Sequence, residues 1–300
     1  IPEIPMIELI NISKQYESVK AVDALNMNVQ KGRIFGFLGP NGAGKTTAIR
    51  MLMNIIMPDS GSILFDGSDR RPAAHRIGYL PEERGLYQKI SVFETLQYFA
   101  HLRNVEDADR KITDMLVRFD LGDRKQSKVT ELSKGNQQKL QFINTILHDP
   151  DYIVLDEPFS GLDPVNQLLL KEILEEMKQA GKTIIFSSHQ MDQVEKLCDD
   201  VALINKGELV TAGPLSEIMS NHENRLLQIT PTAAKDLEHK YFQQRQAEIR
   251  AGSAYIQIGE RGSKQELIAE INAIMDVRSI RVAEPGLEDI FIKLVTGVDG

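Results

Sequence analysis

Residues Gly39 to Thr46 read Gly-Pro-Asn-Gly-Ala-Gly-Lys-Thr and follow the short apolar run Ile34-Phe35-Gly36-Phe37-Leu38. The pattern G-x-x-x-x-G-K-[ST] requires a strand before it and a helix after it. The apolar run supplies the strand, and Thr47 to Met53 has a helical composition. Glycines at 39, 42 and 44 remove side chains, so that backbone N–H groups can turn inward on phosphate oxygens at a helix N-terminus. Lys45 is placed to reach the β and γ phosphates, and the Thr46 hydroxyl to ligate Mg²⁺. The candidate phosphate-binding residues are therefore Gly39, Pro40, Asn41, Gly42, Ala43, Gly44, Lys45, Thr46 and Thr47. The expected ligands are a nucleoside triphosphate and Mg²⁺.

A second run, Tyr152-Ile153-Val154-Leu155, ends in the two carboxylates Asp156 and Glu157. It reads as a buried parallel strand delivering acids to its C-terminal edge, where open α/β sheets bind ligands. Asp156 is then placed to hold Mg²⁺, and Glu157 to polarise an attacking water.

The 300 residues are enough for one large or two modest domains, and 42% apolar with 26% charged residues is ordinary for a globular chain. A formal net charge of −8 argues against sequence-independent nucleic-acid binding, which needs a basic footprint. The lone cysteine, Cys198, cannot form an internal disulfide and fits a reducing compartment. No apolar run approaches the ~18 residues that would span a bilayer. The opening Ile-Pro-Glu-Ile-Pro lacks the regions of a secretory signal. The expectation is a cytoplasmic protein that meets a membrane, if at all, through a partner.

Between the two acidic and phosphate motifs lies Leu132-Ser133-Lys134-Gly135-Asn136, followed by an apolar helical stretch. After Glu157 come Ser160-Gly161-Leu162-Asp163 and, behind the run Thr183 to Ser188, His189. In content and order, over roughly residues 6 to 220, these motifs resemble the ATP-binding cassette (ABC) ATPases, with their signature, D-loop and switch histidine. The resemblance implies an α/β fold with a RecA-like core sheet, an antiparallel β subdomain and a helical subdomain, at about 89–150, that carries the signature. It implies Tyr16 as an adenine-stacking aromatic, the alternative being a plain surface tyrosine. It assigns Ser133 and Gly135 to the γ-phosphate of an opposite subunit, Asp163 to the D-loop, and His189 to the γ-phosphate of its own site. Lys45, Glu157 and His189 become the candidate catalytic residues, with Thr46, Asp156 and Glu82 on the metal. The implied partners are a second ATPase subunit, identical or different, and a membrane permease on a separate chain, which would place the protein on the inner face of the membrane.

Departures from the family pattern are visible. Glu82 stands where a glutamine is usual, and Lys134 and Asn136 replace a glycine and a glutamine of the signature. A carboxylate can ligate Mg²⁺ as an amide can, but it adds negative charge and cannot donate. Lys134 either adds positive charge near the opposite phosphate or faces solvent.

Helical apolar spacing from Ser91 to about Leu121 marks the helical subdomain. Leu86, Tyr87 and Phe93 at its entrance are candidates for docking a helix of the permease, or for ordinary packing. Val165 to Gln179 reads as a helix, 183–188 as a strand, 190–198 as a helix, and Val201 to Val210 as a hairpin turning at Lys206-Gly207. Beyond about Asn221 three strands (226–230, 254–258, 277–282) alternate with helices near 232–245, 264–275 and 287–295. This predicts a small α+β domain over 221–300, of ferredoxin-like type. It is similar to the C-terminal extension of bacterial exporter ATPases related to sodium efflux and antibiotic resistance, which implies export and a role in stabilising or regulating the dimer. An ABC ATPase acting on ribosomes usually has two cassettes, and one acting on nucleic acid has a long coiled coil between phosphate loop and signature. This chain has one phosphate loop, and Ser133 follows Lys45 too closely for such an insertion.

Overall fold

The computed structural model describes residues 6–69, 71–83, 85–221, 226–259, 263–283 and 286–296. Residues 1–5, on which the expectation of no secretory signal rests, lie outside them. The chain divides between Leu215 and Ser216 into two units.

Strands buried on both faces read as unbroken apolar runs, and three such runs form the centre of the first unit. In chain order its elements are β1 (Ile7–Tyr16), β2 (Val19–Val29), β3 (Ile34–Leu38), α1 (Lys45–Leu52), β4 (Ser60–Phe65), β5 (Ile77–Leu80), α2 (Val92–Leu102), α3 (Ala108–Arg118), α4 (Lys134–Ile146), β6 (Tyr152–Asp156), α5 (Pro164–Gln179), β7 (Thr183–Ser188), α6 (Met191–Glu195), β8 (Asp200–Asn205) and β9 (Glu208–Pro214). Every residue of β3, β6 and β7 is buried. They lie in a six-stranded sheet of order β5-β6-β7-β3-β8-β9, parallel except for the last hairpin pair. Strand β7 sits between β3 and β6, with Ser187 paired to Phe37 on one side and Asp156 on the other. The C-terminal ends of the phosphate-loop strand and the acid strand are thereby brought to one edge of the sheet. A three-stranded antiparallel sheet, β2-β1-β4, shares a core with α1 and the larger sheet, built on Leu9, Leu25, Phe35, Ile49 and Val154.

Helices α2 and α4 start on side-chain caps. Ser91 and Glu94 form a reciprocal capping box, and the Ser133 hydroxyl accepts from Asn136 N–H at 3.2 Å. Val92, Leu96, Ala100, Ile112, Leu116 and Phe119 are buried, as helical spacing predicts. Helix α6 is shorter than the expected 190–198, because Leu197 and Cys198 N–H both turn back to the Val194 carbonyl. The Lys206-Gly207 turn is found, with φ 50° and 83°. Helix α7 (Leu215–Asn221) follows β9.

The second unit holds β10 (Leu226–Pro231), α8 (Lys240–Gln244), β11 (Glu248–Arg250), β12 (Ser253–Gln257), α9 (Lys264–Ile274), β13 (Val277–Ala283) and α10 (Leu287–Thr296). Its antiparallel sheet has the order β11-β12-β10-β13, and the succession β-α-β-β-α-β is that of a ferredoxin-like unit. Four strands occur where three were expected, since β11 is three residues long and flanks one apolar residue with two charges. The expected helix at 232–245 is instead a 3₁₀ turn, Ala234–Glu238, and the short α8, divided where His239 adopts extended backbone and caps α8. Leu227, Ile229, Phe242, Ala254, Ile256, Leu267 and Ile271 form its core.

One half-buried histidine, just past α4, links the end of α2 to β5. Arg103 Nη1 donates to His148 Nδ1 at 3.0 Å, and His148 Nε2 lies 3.1 Å from the Ile77 carbonyl. The first contact needs a bare Nδ1 and the second a protonated Nε2, so the ring is neutral. Burial and the neighbouring guanidinium lower its pKa to about 4. A histidine depressed in the folded state contributes stability above its unfolded pKa of 6.5 and loses it as pH falls toward about 4. His148→Gln keeps a donor and an acceptor without titrating. Between pH 7 and pH 4 the wild type should lose about 3 kcal/mol more than this variant, read by urea unfolding.

Candidate functional site

The phosphate loop leaves β3 and enters α1 through backbone that side chains would block. Gly39 has φ 155° and Gly44 φ 105°, and a Cβ on either would stand 2.2 Å from a carbonyl oxygen, of Ile204 and Ala21 respectively. Gly42 has φ 79° with no atom within 4 Å of such a Cβ, so it borders open space. Gly44 caps α1 without a side-chain hydrogen bond, which leaves the first N–H groups of the helix directed at the cleft. Lys45 is 6% exposed. Its Nζ donates to the carbonyls of Gly39 at 2.7 Å and Pro40 at 3.2 Å and lies 3.8 Å from Glu157 Oε1. Burial pushes the ammonium pKa down, against the pull of Glu157, Asp156 and Glu82.

Asp156 ends β6, and one of its oxygens is fully engaged. Oδ1 accepts from Thr46 Oγ1 at 3.3 Å and from Ser187 Oγ at 2.5 Å. The other, Oδ2, is buried and has no hydrogen-bond partner among the described residues. An orphaned carboxylate oxygen beside a threonine hydroxyl suits Mg²⁺, which is commonly held by one or two protein oxygens together with phosphates. Among the described residues no cluster of three or more His, Cys, Asp or Glu could hold a metal by protein ligands alone.

Glu157 adopts the left-handed conformation, φ 50°, which costs a non-glycine residue about 1–2 kcal/mol. The conformation is held at the backbone by Ser187 Oγ, which accepts from Glu157 N–H at 3.0 Å. At the side chain, Glu157 Oε1 lies 3.0 Å from His189 Nδ1. Ser187 thus braces both acids, a role no motif assigns to it. The sequence signal was faint: two hydroxyls, Ser187 and Ser188, close an otherwise apolar run.

Lys45, Thr46 and Glu157 face a cleft of about 440 Å³ whose walls include residues 41–47, Glu82, Glu157 and Lys206, while Asp156 and His189 lie behind those walls and join them through Thr46 and Glu157. Glu82 therefore stands at the cleft. Tyr16 does not line it. It is exposed at the end of β1 with the Lys14 ammonium 5.8 Å from its ring centre, and Val19, Lys20 and Ala21 of β2 flank the mouth instead. Lys206 lies in the turn whose Gly207 N–H donates to the Ala43 carbonyl at 2.9 Å. Ser133, Gly135 and Asp163 lie outside the walls of this cleft. Ser133 and Asp163 are exposed helix caps, Asp163 accepting from Val165 and Asn166 N–H at 3.0 Å, which lowers its pKa. Of the three docking candidates, Leu86 is buried and belongs to the packing. Phe93 lies under Lys125 Nζ, 4.0 Å from the ring centre. Tyr87 is exposed, in a cluster with Tyr98 and Phe99. Cys198 is mostly enclosed, and burial pushes its thiol pKa well up.

The family described as ABC transporter matches residues 22–160, and the C-terminal domain described as ATP-binding protein DrrA1-3-like matches residues 213–295. The ABC transporter ATP-binding protein YhaQ of Bacillus subtilis is 40% identical, over 98% of this chain and 99% of that protein. The bacitracin transport ATP-binding protein BcrA of Bacillus licheniformis is 33% identical, over 97% and 98%. Among solved structures, cbiO1 from Clostridium perfringens, part of the ABC transporter complex cbiONQ, is 26% identical with a TM-score of 0.63, over 73% of this chain and 92% of that one. Phosphate loop, acid strand, signature helix and end-to-end relatives agree, and the chain belongs to the ABC transporter ATP-binding protein family.

Proposed function

We propose that this chain is the ATP-hydrolysing subunit of a bacterial exporter, working as a dimer on a separate membrane permease. The observation that carries the reading is the chain of contacts that ties Lys45, Asp156, Glu157 and His189 to the open N-terminus of α1, while Ser133 and Gly135 lie outside the walls of that cleft. A second copy or a related subunit then supplies the signature helix N-terminus, whose N–H groups favour an anion. The export direction is supported by BcrA, whose name gives bacitracin transport, and by the DrrA1-3-like domain. No helix among the described residues is long and apolar enough to cross a membrane, in keeping with a separate permease chain. Tyr87 and Tyr98, both exposed, form with the half-buried Phe99 an aromatic patch suited to a helix of that permease.

Catalysis in this reading is positioning and charge stabilisation. Lys45 neutralises the β and γ phosphates from a buried position, where charge interactions are strong. Glu157 orients a water for attack on the γ-phosphorus and accepts its proton as the bond to the β–γ bridging oxygen breaks and ADP leaves. His189 holds Glu157 through Oε1 and reaches the γ-phosphate side of the cleft. Thr46, Asp156 and Glu82 would hold Mg²⁺, which supplies further neutralisation of the phosphates. Asp163 shapes the D-loop as the cap of α5.

Glu157→Gln should lower kcat by about 10²–10⁴-fold and still bind ATP, accumulating as a closed dimer on size exclusion. Near-normal phosphate release by this variant would remove Glu157 from its role. Lys45→Ala should weaken ATP binding by about ten- to a hundredfold, measured by titration calorimetry. Glu82→Gln removes a charge near Lys45, and should shift the Mg²⁺ concentration needed for half-maximal ATPase. An unmoved Mg²⁺ curve would take Glu82 off the metal. For the C-terminal unit we propose dimer stabilisation or regulation. Removal of residues 221–300 that leaves both ATPase rate and dimer affinity unchanged would refute it.

A further inference from the structure

Helix α4 carries a polar stripe on its inner side. Gln138, Gln141 and Thr145 follow i, i+3, i+7 spacing, which places them on one face, and their exposures are 4%, 4% and 1%. Each reaches a carbonyl of a segment that carries a site residue. Gln138 Nε2 donates to Pro158, next to Glu157, at 3.1 Å. Thr145 Oγ1 donates to Tyr79, in β5, at 3.3 Å and to Gln141 at 2.9 Å. Gln141 Nε2 donates to both Pro81, at 3.4 Å, and Glu83, at 3.2 Å, the residues on either side of Glu82.

Gln141 is a poor choice for stability. Its Oε1 is buried with no hydrogen-bond partner among the described residues, which costs stability. Burying a glutamine also forfeits the rotamer freedom of a long side chain. An apolar residue of similar shape would fill the same space without an unpaired acceptor. What only the amide provides is a grip on the two peptide groups that flank Glu82. The charge so held acts on the site, since Glu82 is among the acids that pull on Lys45.

We propose that Gln141 is a positioning residue for Glu82: gripping the Pro81 and Glu83 carbonyls, it fixes the Glu82 carboxylate at the metal side of the nucleotide cleft. The signature helix is thereby tied to the metal side of its own protomer's site. This rests on the reading of Glu82 as a metal-side residue.

The test is ATP affinity of the full chain by calorimetry, with Mg²⁺ and with EDTA, alongside thermal unfolding. Gln141→Leu and the unbranched Gln141→Met should cut the Mg²⁺ enhancement of affinity by about tenfold, as loss of an outer-shell partner does. Affinity in EDTA should stay where it is, and the unfolding midpoint should hold or rise, since the unpaired acceptor is gone. In a Glu82→Ala background Gln141→Leu should add nothing, since the two act through one carboxylate. An intact Mg²⁺ enhancement in either variant, or effects that multiply with Glu82→Ala, overturns the proposal. Unfolding of both variants would make Gln141 a structural residue and overturn it too. A wild type that binds ATP with no Mg²⁺ enhancement overturns the metal reading of Glu82 first, and the proposal with it.

Discussion

The buried ammonium of Lys45 is the group around which this site is arranged. A charge taken out of water is costly unless it is paired and hydrogen-bonded. Here the pairing comes from three directions: the Gly39 and Pro40 carbonyls at the start of the loop, Glu157 from β6, and the more distant Asp156 and Glu82. Each fixes something else. The carbonyl contacts hold the loop closed over Lys45, while the Ile204 and Ala21 carbonyls leave Gly39 and Gly44 no room for a side chain. The Glu157 contact accompanies a left-handed backbone that Ser187 holds from the neighbouring strand.

The sheet order makes these contacts possible. With β7 between β3 and β6, one serine at a single register position reaches both acids, while its strand continues into His189. Sliding β7 by one residue would turn Ser187 to the other face and remove the brace from both acids at once. The burial of all three strands on both faces therefore serves the chemistry as well as the fold.

Much of this was legible in the sequence, and the reason is physical. Doubly buried strands leave unbroken apolar runs, and the phosphate loop leaves glycines at fixed spacing, so β3, β6, β7 and their terminal residues could be read directly. What escaped notice depends on register and tertiary contact. Ser187 is an unremarkable hydroxyl until pairing sets it beside Asp156. Gln141 looks like one of several polar residues on a helix until the fold buries it. Leu86 has the composition of a docking residue and is instead core. Strand β11 is too short and too charged to announce itself, and forms because β12 offers it a partner. Tyr16 stands at the expected position in sequence, yet its ring is beside Lys14 and outside the cleft walls.

Helix α4 has two ends of opposite character, and their separation bears on how two sites could influence each other. Its N-terminus holds Ser133 and Gly135 outside the walls of the protomer's own cleft, where on the proposed reading a partner's nucleotide meets them. Its buried stripe holds carbonyls next to Glu157 and around Glu82 of that protomer's own site. A helix of thirteen residues is stiff on this scale, and it holds these three carbonyls at 3.1 to 3.4 Å. A phosphate that draws on the N-terminus must then either move the loops along with the helix or be resisted by them. The two sites of a dimer would be coupled through one rigid element in each protomer, with the strength of the coupling set by how firmly the glutamines grip.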